Sequence, residues 1–177
     1  AIDVAYRPYE ERSRGLVQVP VAVNLSSMQF HANGFVSAVE QVLKEEQVPG
    51  EWIELELTER MLMDDLAAVK HTLDQIKALG IRISVDDFGT GYSSLAHLKE
   101  LPIDSMKIDR SFVQDLPNDR GSAAISRAVV QMAQGLGLMV IAEGVENEAQ
   151  RGFLRREGCD VLQGELISRP LSATELE

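Results

Sequence analysis

The sequence predicts an α/β fold built on a parallel β-sheet and folded as a single domain. One observation supports the fold class and a second supports the single domain. Short apolar runs alternate with amphipathic segments along the whole chain, which is the pattern of repeated β/α units. The chain has 177 residues, of which 45% are hydrophobic and 25% are charged, and this suits one soluble domain with one core. The predicted strands, in chain order, are Val19–Asn24, Ile53–Leu57, Ile81–Asp86, Ser105–Ile108, Met139–Glu143 and Asp160–Gln163.

The clearest predicted helix begins at Asp64 or Asp65 and ends at Leu79. Gly80 follows at the position where glycine commonly ends a helix, because glycine adopts positive φ at little cost. Apolar residues recur there at helical spacing and form one stripe that we expect to face the core: Leu66, Val69, Leu73, Ile76 and Leu79.

Two more helices are predicted in the second half of the chain, one over Ser122–Leu136 and one that opens at Asn147. The segment Leu116–Ser122 contains a proline and a glycine and is predicted to be a surface loop. The predicted helix over Ser122–Leu136 also carries an apolar stripe that we expect in the core, formed by Ile125, Val129 and Met132.

Charge and cysteine content restrict the partners that the chain can have. The net charge of −11 argues against binding long nucleic acid, because that needs clustered Lys and Arg. Cys159 is the only cysteine, so no internal disulfide forms, and we expect a small packing residue in a reducing compartment. No run of about 18 apolar residues exists, so no membrane segment is predicted. We expect a cytoplasmic location, for the chain itself or as the cytoplasmic domain of a larger, membrane-anchored protein.

Two adjacent carboxylates stand where a predicted strand meets a glycine-containing turn. Asp86 and Asp87 would repel each other unless a positive charge lay nearby, and hard oxygen ligands suit Mg²⁺, Mn²⁺ or Ca²⁺. The alternative is ordinary turn chemistry, in which one Asp caps the next helix and the other is solvated. The three histidines stand apart, and we expect surface or packing roles for them: His31, His71 and His97.

Each predicted strand has a polar residue at its carboxyl end or within one residue of it, which is a second and independent signal. Side chains alternate across a strand, so in VAVN, ELEL, ISVD and MVIAE this residue shares a face with every second residue before it. In a barrel that face is the interior, and the polar residues converge at the carboxyl rim. Crowded carboxylates are costly to bury, whereas bound metal ions offset their repulsion. An amide, several carboxylates and one lysine therefore favour two-metal hydrolysis of a phosphodiester. The residues are Asn24, Glu56, Asp86, Asp87, Lys107, Glu143 and Gln163.

Taken together, the motifs resemble the EAL domain, the bacterial cyclic-di-GMP phosphodiesterase domain. The resemblance covers residues 19–170, and the segment 1–18 diverges from it. The matching strings, in order, are VNLS at Val23–Ser26, ELTE at Glu56–Glu59, DDFGTGYSSL at Asp86–Leu95, LPIDSMKIDRSFV at Leu101–Val113, AEGVE at Ala142–Glu146, QG at Gln163–Gly164, and Arg169–Pro170.

The resemblance implies a TIM-type (β/α)₈ barrel that opens cyclic-di-GMP to linear pGpG with two Mg²⁺ or Mn²⁺ ions. It implies that Asn24, Glu56 and Asp86 ligate one metal, and that Asp86, Asp87 and Glu143 serve the second.

The resemblance also implies roles for four residues outside the metal ligands. Lys107 would position the attacking water. Glu59 would steady the loop Phe88–Leu95, which the family also uses at its dimer interface. Glu146 and Gln163 would bind water, or would contact the metal-ligating side chains without touching the metal.

Two departures from the family pattern matter. The Glu-Ala-Leu strand that names the family, with its metal-binding glutamate and a nearby substrate-binding arginine, has no counterpart in these residues. In agreement with this first departure, six strands are predicted where a closed barrel has eight, so we expect an N-terminally incomplete domain. The second departure is Glu165, which stands where the family usually has an aromatic residue after QG.

The resemblance leaves two functions open and implies several partners. One function is metal-dependent hydrolysis, with weak or no activity for the 177 residues alone. The other is a degenerate domain that binds cyclic-di-GMP as a receptor, or that only dimerises. We expect a homodimer, and GGDEF or sensory domains in the parent chain.

Overall fold

The computed structural model describes residues 20–63, 65–89 and 95–172, with the side chains of residues 95 and 96 excepted. Its strands are β1 (Val21–Asn24), β2 (Ile53–Thr58), β3 (Arg82–Phe88), β4 (Ser105–Ile108), β5 (Met139–Ala142) and β6 (Val161–Leu162). Its helices are α1 (Ser27–Phe30), α2 (Phe35–Glu45), α3 (Leu66–Ala78), α4 (Leu95–Leu98), α5 (Arg110–Val113), α6 (Arg120–Leu136) and α7 (Glu148–Glu157). Two 3₁₀ turns, Gly50–Trp52 and Glu59–Met63, flank β2.

The described strands form one parallel sheet in the order β1-β2-β3-β4-β5-β6. Sequential parallel neighbours joined by helical crossovers are the arrangement of consecutive units in a (β/α)₈ barrel. All six predicted strands are present, and they bring their carboxyl ends to one edge of the sheet.

The two faces of the sheet differ in polarity because side chains alternate along each strand. The outer face is apolar and packs against the helices, with Leu57, Ile83, Val85, Met106 and Ile108 fully buried. The inner face carries the polar strand ends and, below them, Glu54, Ser84 and Ser105. The helices therefore fix the sheet from outside, while the inner face supplies the chemistry.

Strand β3 extends two residues beyond its predicted end at Asp86. The register with β4 shifts between Val85 and Phe88, and Asp87 lies there with φ of +54°. Asp tolerates this left-handed conformation better than most non-glycine residues. The irregularity places the Asp pair within the end of the strand, not after it.

Helix α3 confirms its predicted stripe, with Val69, Leu73 and Ile76 buried and Leu66 and Leu79 half-buried. Asp65 caps its first turn by accepting hydrogen bonds from the amides of Ala67 and Ala68. These contacts fix the orientation of the helix that follows β2.

Helix α6 begins earlier than predicted, so the last three residues of the predicted loop Leu116–Ser122 are helical. The Asp119 carboxylate caps the helix by accepting from the amide of Ser122 at 2.7 Å. The prediction that Ile125 lies in the core is wrong, since its side chain is exposed. Val129 is buried as predicted, and Met132 is half-buried and packs against the core. The other buried residues of the helix are Ser126, Val130 and Ala133.

Cys159 is buried, as predicted for a packing residue. Burial raises the pKa of its thiol to about 11, so the thiol stays protonated at neutral pH. No helix in the described part of the chain is long and apolar enough to cross a membrane.

Candidate active site

Lys107 lies at the centre of the polar rim. Its Nζ donates hydrogen bonds to Oε1 of Glu56 at 2.6 Å and to Oε1 of Glu143 at 2.5 Å, and it lies 3.7 Å from Oδ1 of Asp86. The side chain of Lys107 is only 4% exposed. Three strands and the residue after a fourth thus converge on one ammonium group.

The ammonium of Lys107 is charged at neutral pH. Burial alone would lower its pKa, but hydrogen bonds to Glu143 and Glu56 and their charges outweigh burial and raise the pKa above its ordinary value. Lys107 can therefore donate hydrogen bonds and neutralise charge, whereas it cannot accept a proton as a general base.

The Asp pair lies beside this cluster. Asp86 Oδ1 accepts a hydrogen bond from the amide of Asp87 at 2.9 Å, which fixes the Asp86 carboxylate. Burial raises the pKa of the Asp87 carboxyl, and the charges of Asp86, Asp109 and Glu143 raise it further. The site thus concentrates negative charge around Asp87, which is the condition that a bound cation relieves.

Asp109 joins the site although the sequence interpretation gave it no role. It follows β4 directly, and its carboxyl group contacts that of Asp87. Its Oδ1 also caps α5 by accepting from the Ser111 amide at 3.0 Å. The signal was its place in the string Lys-Ile-Asp, two residues after Lys107, but an Asp before a helix reads equally well as a cap.

Glu59 lies at the start of the turn after β2 and is buried. Its Oε2 accepts a hydrogen bond from the amide of Gly89 at 3.0 Å, at the first residue after β3. Gly89 has φ of +99°, and a Cβ there would lie 3.0 Å from the ring of Phe112. The hydrogen bond between Gly89 and Glu59 holds the start of the predicted loop Phe88–Leu95. Residues 90–94 of that loop lie outside the described residues.

Three other predicted site residues lie apart from Lys107. Asn24 ends β1 and is exposed, in register with Glu56 on β2. Gln163 follows β6 and is also exposed. Glu146 pairs with the guanidinium of Arg110 at 2.5 Å. The structure therefore brings together Glu56, Asp86, Asp87, Lys107 and Glu143, with Asn24 and Gln163 at the two margins.

The donor set fits hard divalent cations. All candidate ligands are carboxylate or amide oxygens, which suit Mg²⁺ and Mn²⁺. Among the described residues, no three His, Cys, Asp or Glu side chains are grouped closely enough to hold a metal ion as they stand. Lys107 lies between Glu56 and Glu143, so these carboxylates would have to reorient to share a cation.

Known proteins share the sequence pattern and the fold of this chain. The model of the EAL domain family matches residues 4–170. The chain belongs to the EAL domain family. This EAL chain is 47% identical over 156 residues to the bifunctional diguanylate cyclase/cyclic di-GMP phosphodiesterase MucR of Pseudomonas aeruginosa, covering 88% of this chain and 23% of MucR. It is 42% identical over 163 residues to the cyclic di-GMP phosphodiesterase NbdA of the same organism, covering 92% of this chain and 21% of NbdA.

A solved structure of the MucR phosphodiesterase in complex with c-di-GMP matches this EAL chain with a TM-score of 0.93. The match has 44% sequence identity and covers 99% of this chain and 72% of the other. The family and the barrel class predicted from the sequence are thereby confirmed. The EAL chain spans about a fifth of the length of the curated relatives MucR and NbdA.

Proposed function

We propose that this EAL domain hydrolyses cyclic-di-GMP to linear pGpG within the protein that contains it. The observation that carries the proposal is the buried contact of Lys107 with Glu56 and Glu143, beside the Asp86–Asp87 pair. The activities named for MucR and NbdA support the choice of substrate.

The proposal assigns two divalent cations, Mg²⁺ or Mn²⁺, to the carboxyl rim. Asn24, Glu56 and Asp86 would hold one, while Asp86, Asp87 and Glu143 would hold the second. When bound, the ions supply neutralisation of the phosphodiester charge and activation of a water molecule.

The remaining steps fall to side chains of the chain itself. Lys107, as a charged donor, orients the attacking water and stabilises the negative charge that develops on the phosphate. Glu59 holds the amide of Gly89, so that the backbone after the Asp pair keeps one position. Glu146 and Gln163 bind water or restrain the ligands at the margin of the site.

The proposal is tested by turnover of cyclic-di-GMP by the full parent protein with Mg²⁺ or Mn²⁺, with pGpG measured chromatographically. Asp86→Asn should abolish turnover, because it removes a charged ligand that both ions share. A folded, metal-loaded parent that releases no pGpG would refute the proposal. The 177 residues alone should be weakly active or inactive, because the glutamate that names the family is not among them.

A receptor that binds cyclic-di-GMP without cutting it is the second candidate. One observation favours it: Lys107 already neutralises Glu56 and Glu143, so the cluster can persist without metal. Calorimetry separates the two candidates, since a receptor of this kind would bind cyclic-di-GMP equally well in the presence of a chelator.

The proposal includes partners for the parent protein. We expect a homodimer formed through the loop after the Asp pair, and a GGDEF or sensory domain in the same chain. Sedimentation of the parent with and without cyclic-di-GMP tests the dimer. We also expect the domain to lie in the cytoplasm.

A further inference from the structure

Gln150 is the third residue of α7, and it is a polar side chain buried to 1% exposure. Its Oε1 accepts hydrogen bonds from the amides of Glu146 at 2.7 Å and Asn147 at 3.1 Å. Its Nε2 donates to the carbonyl oxygen of Gln114 at 3.0 Å, across 36 positions of sequence. Buried amides are costly without partners, and this one satisfies three backbone groups.

Helix capping explains only part of this arrangement. The bond from the Asn147 amide and the reciprocal bond from the Gln150 amide to Asn147 Oδ1 form a capping box. The same box occurs at α1, where the side chain of Gln29 accepts from Ser26 and is exposed. The contacts of Gln150 with Glu146 and Gln114 go beyond what a cap requires.

The segment that Gln150 holds is the loop from Glu143 to Asn147, which carries a side chain of the proposed site. Glu143 accepts a hydrogen bond from Lys107. The amide of Val145 donates to the carbonyl oxygen of Gln163, the residue after β6. On its other side the loop meets α5, where the side chain of Arg110 lies so close to Gly144 that a Cβ there would be 2.4 Å from Arg110 Cγ.

Two side-chain contacts join the loop and the start of α7 to α5, one exposed and one part-buried. The ion pair between Arg110 and Glu146 is largely exposed, and pairs of this kind contribute little. The bond from the buried side chain of Gln150 to the carbonyl oxygen of Gln114, the residue after α5, is part-buried. Asp109, at the start of the same helix, contacts Asp87.

We propose that Gln150 is a positioning residue, which holds the Glu143–Asn147 loop against α5 so that Glu143 stays beside Lys107 and the Asp pair. This inference rests on the proposed function, because it assigns Glu143 to the reaction. When a residue that orients a metal-ligating side chain without touching the metal is replaced, metal affinity or activity falls by about 10- to 100-fold.

The test uses the full parent protein with Gln150→Met, which keeps length and removes all three bonds, and Gln150→Glu, which keeps the two acceptor contacts. Gln134→Met is the matched control, since Gln134 also bonds a backbone carbonyl, that of Gly158, at 3.1 Å, but at the amino ends of the strands. We expect Gln150→Met to lower kcat about 10- to 100-fold with KM nearly unchanged and to raise the Mg²⁺ concentration needed for half-maximal rate. Gln150→Glu should fall between Gln150→Met and wild type, and the control should match wild type.

Hydrogen exchange gives a readout that does not depend on turnover. The amides of Glu146 and Asn147 should exchange faster in Gln150→Met, while those of α6 stay protected. Unchanged kcat and Mg²⁺ dependence in Gln150→Met would overturn the inference, and so would equal losses in the control. If the wild-type parent releases no pGpG, the proposed function fails. In that case the Mg²⁺ affinities of the wild-type parent and Gln150→Met, measured by calorimetry, test the role of Gln150. Unchanged affinity in Gln150→Met overturns that role, and weakened affinity supports it.

Discussion

Replacement of Lys107 by alanine separates chemistry from binding more sharply than any other change in this site. The substitution removes the ammonium that donates to Glu56 and Glu143 and lies 3.7 Å from Asp86. If Lys107 acts on charge that develops in the transition state, kcat should fall while the affinity for cyclic-di-GMP is retained.

The magnitude follows from burial and charge. Removal of one preorganised donor to a developing oxyanion costs about 100- to 1000-fold in kcat. Lys107 is almost fully buried, and its removal leaves the carboxylates of Glu56 and Glu143 without the cation that both contact. The expected cost is about 3–5 kcal/mol in the free energy of unfolding without metal. Divalent metal should recover part of that stability, because it supplies the missing positive charge.

The pH range of the assay also follows from the pKa of Lys107, which is raised in the folded state. Its contribution to stability is complete below the ordinary value of 10.5, and it is lost only as pH rises through the higher folded value. Assays near neutral pH therefore measure the full effect of the charged ammonium.

The measurements are initial rates, calorimetric binding of cyclic-di-GMP, and thermal unfolding with and without Mg²⁺, all on the parent protein. Lys77→Ala is the control, because Lys77 pairs with both oxygens of Asp104 at 2.7 Å at the opposite end of the sheet. A Lys107→Ala protein with normal kcat and weakened cyclic-di-GMP binding would refute the assigned role. Equal losses of kcat in Lys77→Ala would show a general effect of stability.

Other changes test the remaining parts of the site. Asp109→Asn should weaken metal binding about 10-fold and raise the Mg²⁺ concentration needed for turnover, measured by titration of the initial rate. Gly89→Ala should reduce activity and destabilise the fold, because φ is +99° and the new Cβ would meet the ring of Phe112; normal stability and turnover would contradict this. Glu59→Met, which removes the acceptor oxygens, should speed hydrogen exchange of the Gly89 amide and lower kcat, while a parent with unchanged exchange would leave Glu59 without its assigned role.

The sequence was sufficient to predict the sheet and most of the central cluster, for a physical reason. A parallel strand buried on its outer face must be apolar there, so the polar residue at its carboxyl end stands out. Glu56, Asp86, Lys107 and Glu143 were found in this way, and the fold needed only to bring the strand ends to one edge. The irregular end of β3 was not predicted, because the left-handed Asp87 has no signal in composition.

Asp109 and Gln150 show where local patterns stop being informative. Each stands where a helix begins, and each is a good capping residue, so the local sequence is fully explained without any further role. Their other contacts are with Asp87 and with Gln114, which are distant in sequence. Only the packing of α5 and α7 against the strand ends brings these groups together.

The charge of the site bears on whether cyclic-di-GMP would bind there with or without metal ions. Five carboxyl groups lie at the rim, and Lys107 contacts three of them, those of Glu56, Asp86 and Glu143. The other two, Asp87 and Asp109, contact each other. Two divalent ions would add four positive charges, which with Lys107 balance the five carboxylates. Without metal, this rim in a chain of net charge −11 would repel a cyclic dinucleotide that carries two phosphates. A receptor that worked without metal would gain affinity from fewer carboxylates, so their number favours a site that binds its ligand together with metal ions.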